Sequence, residues 1–168
     1  MRKRIVFLSS EPEGLKKVIS KIQKVSGAEV IVLHFKMSHW RDPNEIQKLS
    51  KKLKAEVIPV NFLSFENVID KLYEEKNTVF VFETVLGDYT EAVFSYRINI
   101  SYAIYKKEKC KNINDQRIWF YTVAGKEDKA RIDELFGNYV IEAKVSDKNS
   151  KYIELNLEGN KRFYEAIM

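Results

Sequence analysis

The sequence predicts an α/β fold: a doubly wound, mostly parallel Rossmann-like sheet of order 3-2-1-4-5, followed by a C-terminal antiparallel strand pair. Two observations carry this. Short, uninterrupted apolar runs (Ile5–Leu8, Val30–Leu33, Val57–Val60, Thr78–Phe82, Ile118–Val123) alternate with amphipathic stretches of helical period. Runs without polar interruption suit strands covered on both faces, as in a parallel sheet. The connections are short, as βαβ units require.

Taken in order, Ile5–Leu8 is the first strand. Ser9-Ser10-Glu11 is a polar loop, and Pro12 suits the first position of a helix with Ser10 or Glu11 near its cap. Leu15, Val18, Ile19, Ile22 and Val25 give that helix one apolar stripe, and Ser26-Gly27 stops it. Val30–Leu33 is the second strand. Asp42-Pro43 opens a second helix with Ile46, Leu49 and Leu53 inward. Val57–Val60 is the third strand, placed at the sheet edge by Pro59. Ser64 is expected to cap a third helix carrying Phe65, Val68, Ile69 and Leu72.

Thr78–Phe82 is the fourth strand. After the polar turn Thr84-Val85-Leu86-Gly87-Asp88, the fourth helix runs from Thr90 to about Lys107, apolar on more than one side. Such a helix is buried on more than one side. One face suits the sheet and the other a second copy of the chain, which predicts a homodimer through helix four. Ile118–Val123 is the fifth strand, and Gly125–Phe136 has a short helical pattern. Tyr139–Val145 and Lys151–Leu157 read as an antiparallel pair joined by the turn Ser146–Ser150. The reading is one domain over residues 1–168, with 158–168 a short C-terminal helix or the start of a further segment.

Composition narrows the function classes. The chain has 45% apolar and 32% charged residues, which is globular, and a net charge of +5, which favours an anionic partner. The single cysteine, Cys110, makes no internal disulfide and points to a reducing, cytoplasmic setting. No stretch is long and apolar enough to predict a membrane span. There is no G-x-G-x-x-G after the first strand, no G-x-x-x-x-G-K-[ST] and no G-x-S-x-G. His34 and His39 have no carboxylate at ligand spacing, and neither metal nor cofactor is expected. His34 reads as a strand residue. His39, Trp40 and Arg41 place an aromatic plane beside a guanidinium, a combination suited to base stacking and phosphate contact.

In the predicted strand order the winding reverses between strands one and four. A ligand crevice then lies between Ser9-Ser10-Glu11 and Thr84–Asp88, at the carboxyl ends of the strands. Phe7-Leu8-Ser9-Ser10-Glu11, the unit Val81–Thr90 with its long apolar helix, and the antiparallel tail together resemble the CRISPR-associated Rossmann fold (CARF) family over about residues 4–157. The resemblance implies a homodimer that binds a cyclic oligoadenylate, with tetra-adenylate the expected ring, in type III CRISPR antiviral signalling. The strand-one and strand-four loops would form the floor, with Ser9, Ser10, Glu11, Thr84, Leu86, Gly87, Asp88, Tyr89, Thr90 and Arg97 as binding residues, joined by His39, Trp40 and Arg41. Stand-alone members include metal-independent ring nucleases. On that pattern Ser9 and Ser10 would position the substrate for in-line attack, and Lys126, Arg41 or Arg97 would supply the cation. The alternative reading is a DNA- or protein-binding regulatory module without a small ligand, resting on basic balance and Lys-rich helix faces such as Lys16, Lys17, Lys21 and Lys24. Salt-sensitive DNA binding would mark it.

Overall fold

The structure, a computed structural model, describes residues 2–36, 43–61, 63–84, 117–122, 139–145 and 153–168. Five strands of the expected sheet are present: β1 (Arg4–Ser9), β2 (Glu29–Phe35), β3 (Glu56–Val60), β4 (Thr78–Thr84) and β5 (Ile118–Thr122). A short sixth strand, β6 (Val140–Ile141), extends the sheet to the order β3-β2-β1-β4-β5-β6. Every pairing in it is parallel. The fourth helix, the 125–136 pattern and the 146–150 turn lie outside the described residues.

The strands are apolar on both sides because both sides are covered. One face presents Ile5, Phe7, Val30, Val32, Val79, Val81 and Trp119. Packed on it are α1 (Lys16–Ser26), α2 (Pro43–Leu53) and the C-terminal segments, through Ile19, Ile22, Leu49 and Phe163 among others. The other face presents Val6, Leu8, Ile31, Leu33, Phe80, Phe82 and Phe120, met by Phe65 and Ile69 of α3 (Phe65–Tyr73). Phe82 lies between Phe80 and Phe120, with ring centroids 5.7 Å and 6.0 Å away.

The helix ends show local chemistry that departs from expectation at two places. Pro12–Leu15 forms a 3-10 turn ahead of α1, and Glu11 at its start makes no side-chain cap. The Ser9 hydroxyl accepts the Glu11 N–H at 3.1 Å, which ties the start of this turn to the end of β1. Ser64 sits at the N-cap of α3, but its hydroxyl accepts from the Asn61 N–H at 3.0 Å rather than from the helix. Asn61 takes the capping role: its side-chain oxygen accepts from Leu63 and Ser64, and its carbonyl accepts from Phe65. Gly27 closes α1 as expected, with φ of 63° and its N–H bonded to the Gln23 carbonyl. Pro59 is indeed on the rim strand. Because the Val60 carbonyl accepts from Lys36 N–H across the β2 side, strand alternation turns the Pro59 nitrogen outward.

The stretch Tyr139–Val145 is not one strand of a hairpin. It breaks at Glu142. Val140–Ile141 pairs in parallel with Phe120–Tyr121, and β7 (Ala143–Val145) pairs antiparallel with β8 (Ile153–Leu155). The Glu142 carbonyl at the break accepts the Asn156 N–H at 2.8 Å. The final helix α4 (Lys161–Ile167) forms as expected, burying Phe163 and Ile167. Its N-cap, Asn160, accepts from Phe163 N–H at 3.1 Å and donates to the Val140 carbonyl at 3.3 Å. Asn160→Ala is therefore expected to cost about 1–2 kcal/mol, a cap together with a tie to β6. A urea unfolding curve checks this, and a change under about 0.3 kcal/mol would show that neither bond contributes.

Candidate functional site

A buried polar row crosses the sheet at the carboxyl ends of its central strands. Register builds it. Ser9 pairs with His34, and Glu83 pairs with Tyr121. Leu8 pairs with Phe82, so the next residues, Ser9 and Glu83, come side by side. His34, Ser9, Glu83 and Tyr121 thus cross four adjacent strands, continuing the sheet face that carries Phe7, Val32, Val81 and Trp119. Ser9 is 1% exposed, and His34 and Glu83 are 7% exposed.

Buried polar groups must find partners, and Ser9, Glu83 and Tyr121 find each other. The Ser9 hydroxyl donates to Glu83 Oε2 at 2.5 Å, and the Tyr121 hydroxyl donates to the same oxygen at 3.1 Å. The Ser10 hydroxyl reaches Glu83 Oε1 at 3.4 Å. Ser9 is therefore committed on both sides, to Glu83 and to the Glu11 N–H, whereas Ser10 is half-buried at the mouth of the row.

The electrostatics follow from burial. Loss of water raises the Glu83 carboxyl above its usual 4.5, with the Glu11 carboxylate adding to the rise and the Ser9, Tyr121 and Ser10 hydrogen bonds opposing it. Tyr121 is raised well above 10, first by burial and then by Glu83. His34 is lowered from 6.5 to about 4, mainly by burial and then by the Lys36 charge, with a hydrogen bond to the Ser10 backbone partly opposing. Burial thus shifts all three groups toward their uncharged forms.

The two buried groups give opposite pH slopes. Between about pH 4 and pH 6.5 the unfolded chain holds the His34 proton and the folded chain does not, so that contribution is full above 6.5 and is lost as pH falls. For Glu83 the folded chain holds the extra proton, so its contribution is full below 4.5 and is lost as pH rises through the raised value. His34→Gln is expected to remove the acid-side loss, on the order of 2–3 kcal/mol at most, in urea midpoints measured against pH. An unchanged acid limb would show that another group causes it.

Of the residues expected at the site, Ser9, Ser10 and the Glu11 backbone are brought to the end of β4, which Thr84 closes. Leu86, Gly87, Asp88, Tyr89, Thr90, Arg97, His39, Trp40, Arg41 and Lys126 lie outside the described residues. Sequence reasoning missed Glu83, Tyr121 and His34 as members of the site. The available signal was a lone polar residue at the end of each apolar run, two positions after a core residue on the same face. Among the described residues no group of three or more His, Cys, Asp or Glu could hold a metal ion. None of their helices is long and apolar enough to cross a membrane.

The parallel sheet with its reversal of winding between β1 and β4 defines a Rossmann-like α/β protein. No protein-family model matches the chain, and no curated protein matches it. Among solved structures it is similar to the malate dehydrogenase from Picrophilus torridus in its apo form. The TM-score is 0.42 and the identity 11%, over 84% of this chain and 46% of that one. The chain therefore spans less than half the length of that protein.

Proposed function

We propose that this is a nucleotide-binding protein whose site is the β1–β4 edge, and that its ligand is a cyclic oligoadenylate of type III CRISPR antiviral signalling, bound between two copies of the chain. The observation that carries the reading is the polar row, which interrupts an otherwise apolar sheet at the switch point where open α/β sheets take ligands. The sequence resemblance to CARF domains supports the choice of ligand. So does a net charge of +5, since each nucleotide of the ring carries one negative charge.

A phosphate next to a carboxyl is costly only if the carboxyl is ionised. Burial keeps Glu83 toward its neutral form, and Ser10 offers a hydroxyl at the mouth. Ring opening, if the protein performs it, would be attack of a ribose 2′-hydroxyl on the adjacent phosphorus with release of the 5′-oxygen. Ser10 would hold the phosphate, and Lys126 would neutralise developing charge.

The test is incubation with cyclic tri-, tetra- and hexa-adenylate in the absence of metal, followed by chromatography. A linear product from one ring size establishes a ring nuclease. Co-elution of an intact ring establishes a sensor. Neither binding nor cleavage removes the reading. Where a ring binds, Ser10→Ala with Thr84→Ala is expected to weaken affinity at least tenfold, with the sedimentation coefficient unchanged.

A further inference from the structure

We propose that the neighbouring helices α1 and α2 form a surface that binds the phosphate backbone of duplex nucleic acid without reading its sequence. The inference is independent of the β1–β4 edge and of whether a small ligand binds there.

The fold sorts the charges. α1 and α2 pack on the same face of the sheet, and the Gln23 side chain of α1 donates to the Lys54 carbonyl just after α2, at 2.9 Å. Both connect parallel strands, so both run back across the sheet in the same direction. α1 presents Lys16, Lys17, Lys21 and Lys24 to solvent and contains no acidic residue. α2 presents Lys48, Lys51 and Lys52. Its one acid, Glu45, lies in the first turn and pairs with Lys36 at 2.9 Å. Lys52 meets Glu13 at 3.8 Å with both side chains more than half exposed, a contact that offsets little charge. On the opposite face of the sheet, α3 bears Glu66 and Asp70 against Lys71, and Glu74 and Glu75 against Lys76 follow it. Among the described helices, positive charge thus gathers on one side of the sheet and an acidic excess on the other.

Spacing makes the basic side a pair of stripes. Lys17, Lys21 and Lys24 share one side of α1, spanning about 10 Å at the helical rise. Lys48, Lys51 and Lys52 form the second stripe, on a helix whose axis is about 8–10 Å away. Toward β8 the face ends at a groove where Glu142 and Glu154 balance Lys21 and Lys144.

The chemistry of the face selects its partner. Protein interfaces are centred on aromatic and apolar anchors and are poor in lysine. Neither helix carries an aromatic residue. The exposed large apolar residues among those described, Leu63 and Met168, belong to neither. An aromatic platform for stacking unpaired bases is therefore missing from both helices, as is an apolar wedge for a lipid surface. A duplex needs neither, since it presents one phosphate charge per about 1.7 Å of its axis. Lysine meets phosphate as a flexible point charge, which positions a duplex but carries no base readout.

The test is fluorescence anisotropy of a labelled DNA duplex of roughly 20 base pairs, titrated with the whole protein between about 50 and 200 mM salt. Log affinity should fall linearly with log salt, with a slope of about −3 to −6, and equally for two unrelated sequences. Lys24→Gln with Lys51→Gln should weaken binding about fivefold or more at the low-salt end and make the slope shallower by up to about 2. Lys71→Gln with Lys76→Gln removes the same charge from the acidic side and should leave the slope unchanged. No duplex bound at the low-salt end overturns the inference, as does an equal loss from both pairs of substitutions, or a marked preference for one sequence. Binding to phosphatidylserine vesicles but not to the duplex overturns it in favour of a lipid surface. Salt-sensitive self-association in sedimentation, abolished by Lys24→Gln with Lys51→Gln and with no duplex bound, overturns it in favour of the acidic side of a second copy.

Discussion

Replacing Trp119 with alanine is expected to cost about 3–5 kcal/mol, a large share of the 5–15 kcal/mol that holds a protein of this size folded. Trp119 is fully buried on β5. Its ring meets Phe163 of α4 edge-on at 5.3 Å and Tyr139, just before β6, also at 5.3 Å. Truncation would leave a cavity where three chain segments meet, and the rigid strand and helix around it cannot close it. Urea unfolding followed by circular dichroism reads the loss. A cycle with Phe163→Ala should show about 0.5–1.5 kcal/mol of coupling for the aromatic pair. A loss under about 1 kcal/mol for Trp119→Ala would mean that α4 does not pack on the sheet in this way.

The second large effect is at Glu83, where two substitutions should separate. Glu83→Ala deprives the buried Ser9 and Tyr121 hydroxyls of an acceptor and opens space at the end of β4. Each stranded hydroxyl costs about 1–3 kcal/mol, so a total of roughly 2–5 kcal/mol is expected. Glu83→Gln keeps an acceptor oxygen and should lie within about 1 kcal/mol of wild type at neutral pH. The balance then shifts toward the glutamine variant as pH rises through the raised Glu83 value, because the wild type must bury an ionised carboxylate and the amide has no such penalty. Equal losses for both variants at all pH values would show that volume, not hydrogen bonding, governs the position.

Much of the fold was legible because a parallel sheet imposes a simple pattern. Val30–Leu33 and Thr78–Phe82 face apolar layers on both sides, so nothing polar interrupts them, and Pro59 marked the rim. Less was legible where a decision depends on a neighbour distant in the chain. Tyr139–Val145 looks continuous because each of its two pieces is apolar enough to pair. Only the β5 rim on one side and Ile153–Leu155 on the other divide it at Glu142. Capping by Asn61 rather than Ser64 turns on backbone geometry four residues before the helix begins. The switch point itself could be located from strand order alone, which correctly brought Ser9 and Ser10 to the end of β4. Glu83, Tyr121 and His34 could not be grouped that way. Each is an ordinary strand-end residue until register aligns them, and 49 and 38 positions separate them along the chain.

The Pro59 rim has a consequence for how the protein behaves in a crowded solution. A sheet grows by adding a strand, and an incoming strand needs a continuous run of exposed donors and acceptors. On the β3 side Pro59 turns a nitrogen without hydrogen to the outside, which breaks the run one residue before the strand ends. On the opposite side the last strand is only two residues long before the chain leaves the sheet at Glu142. Among the described residues neither rim of this sheet offers an incoming strand a long unbroken run, which works against fibril-like growth.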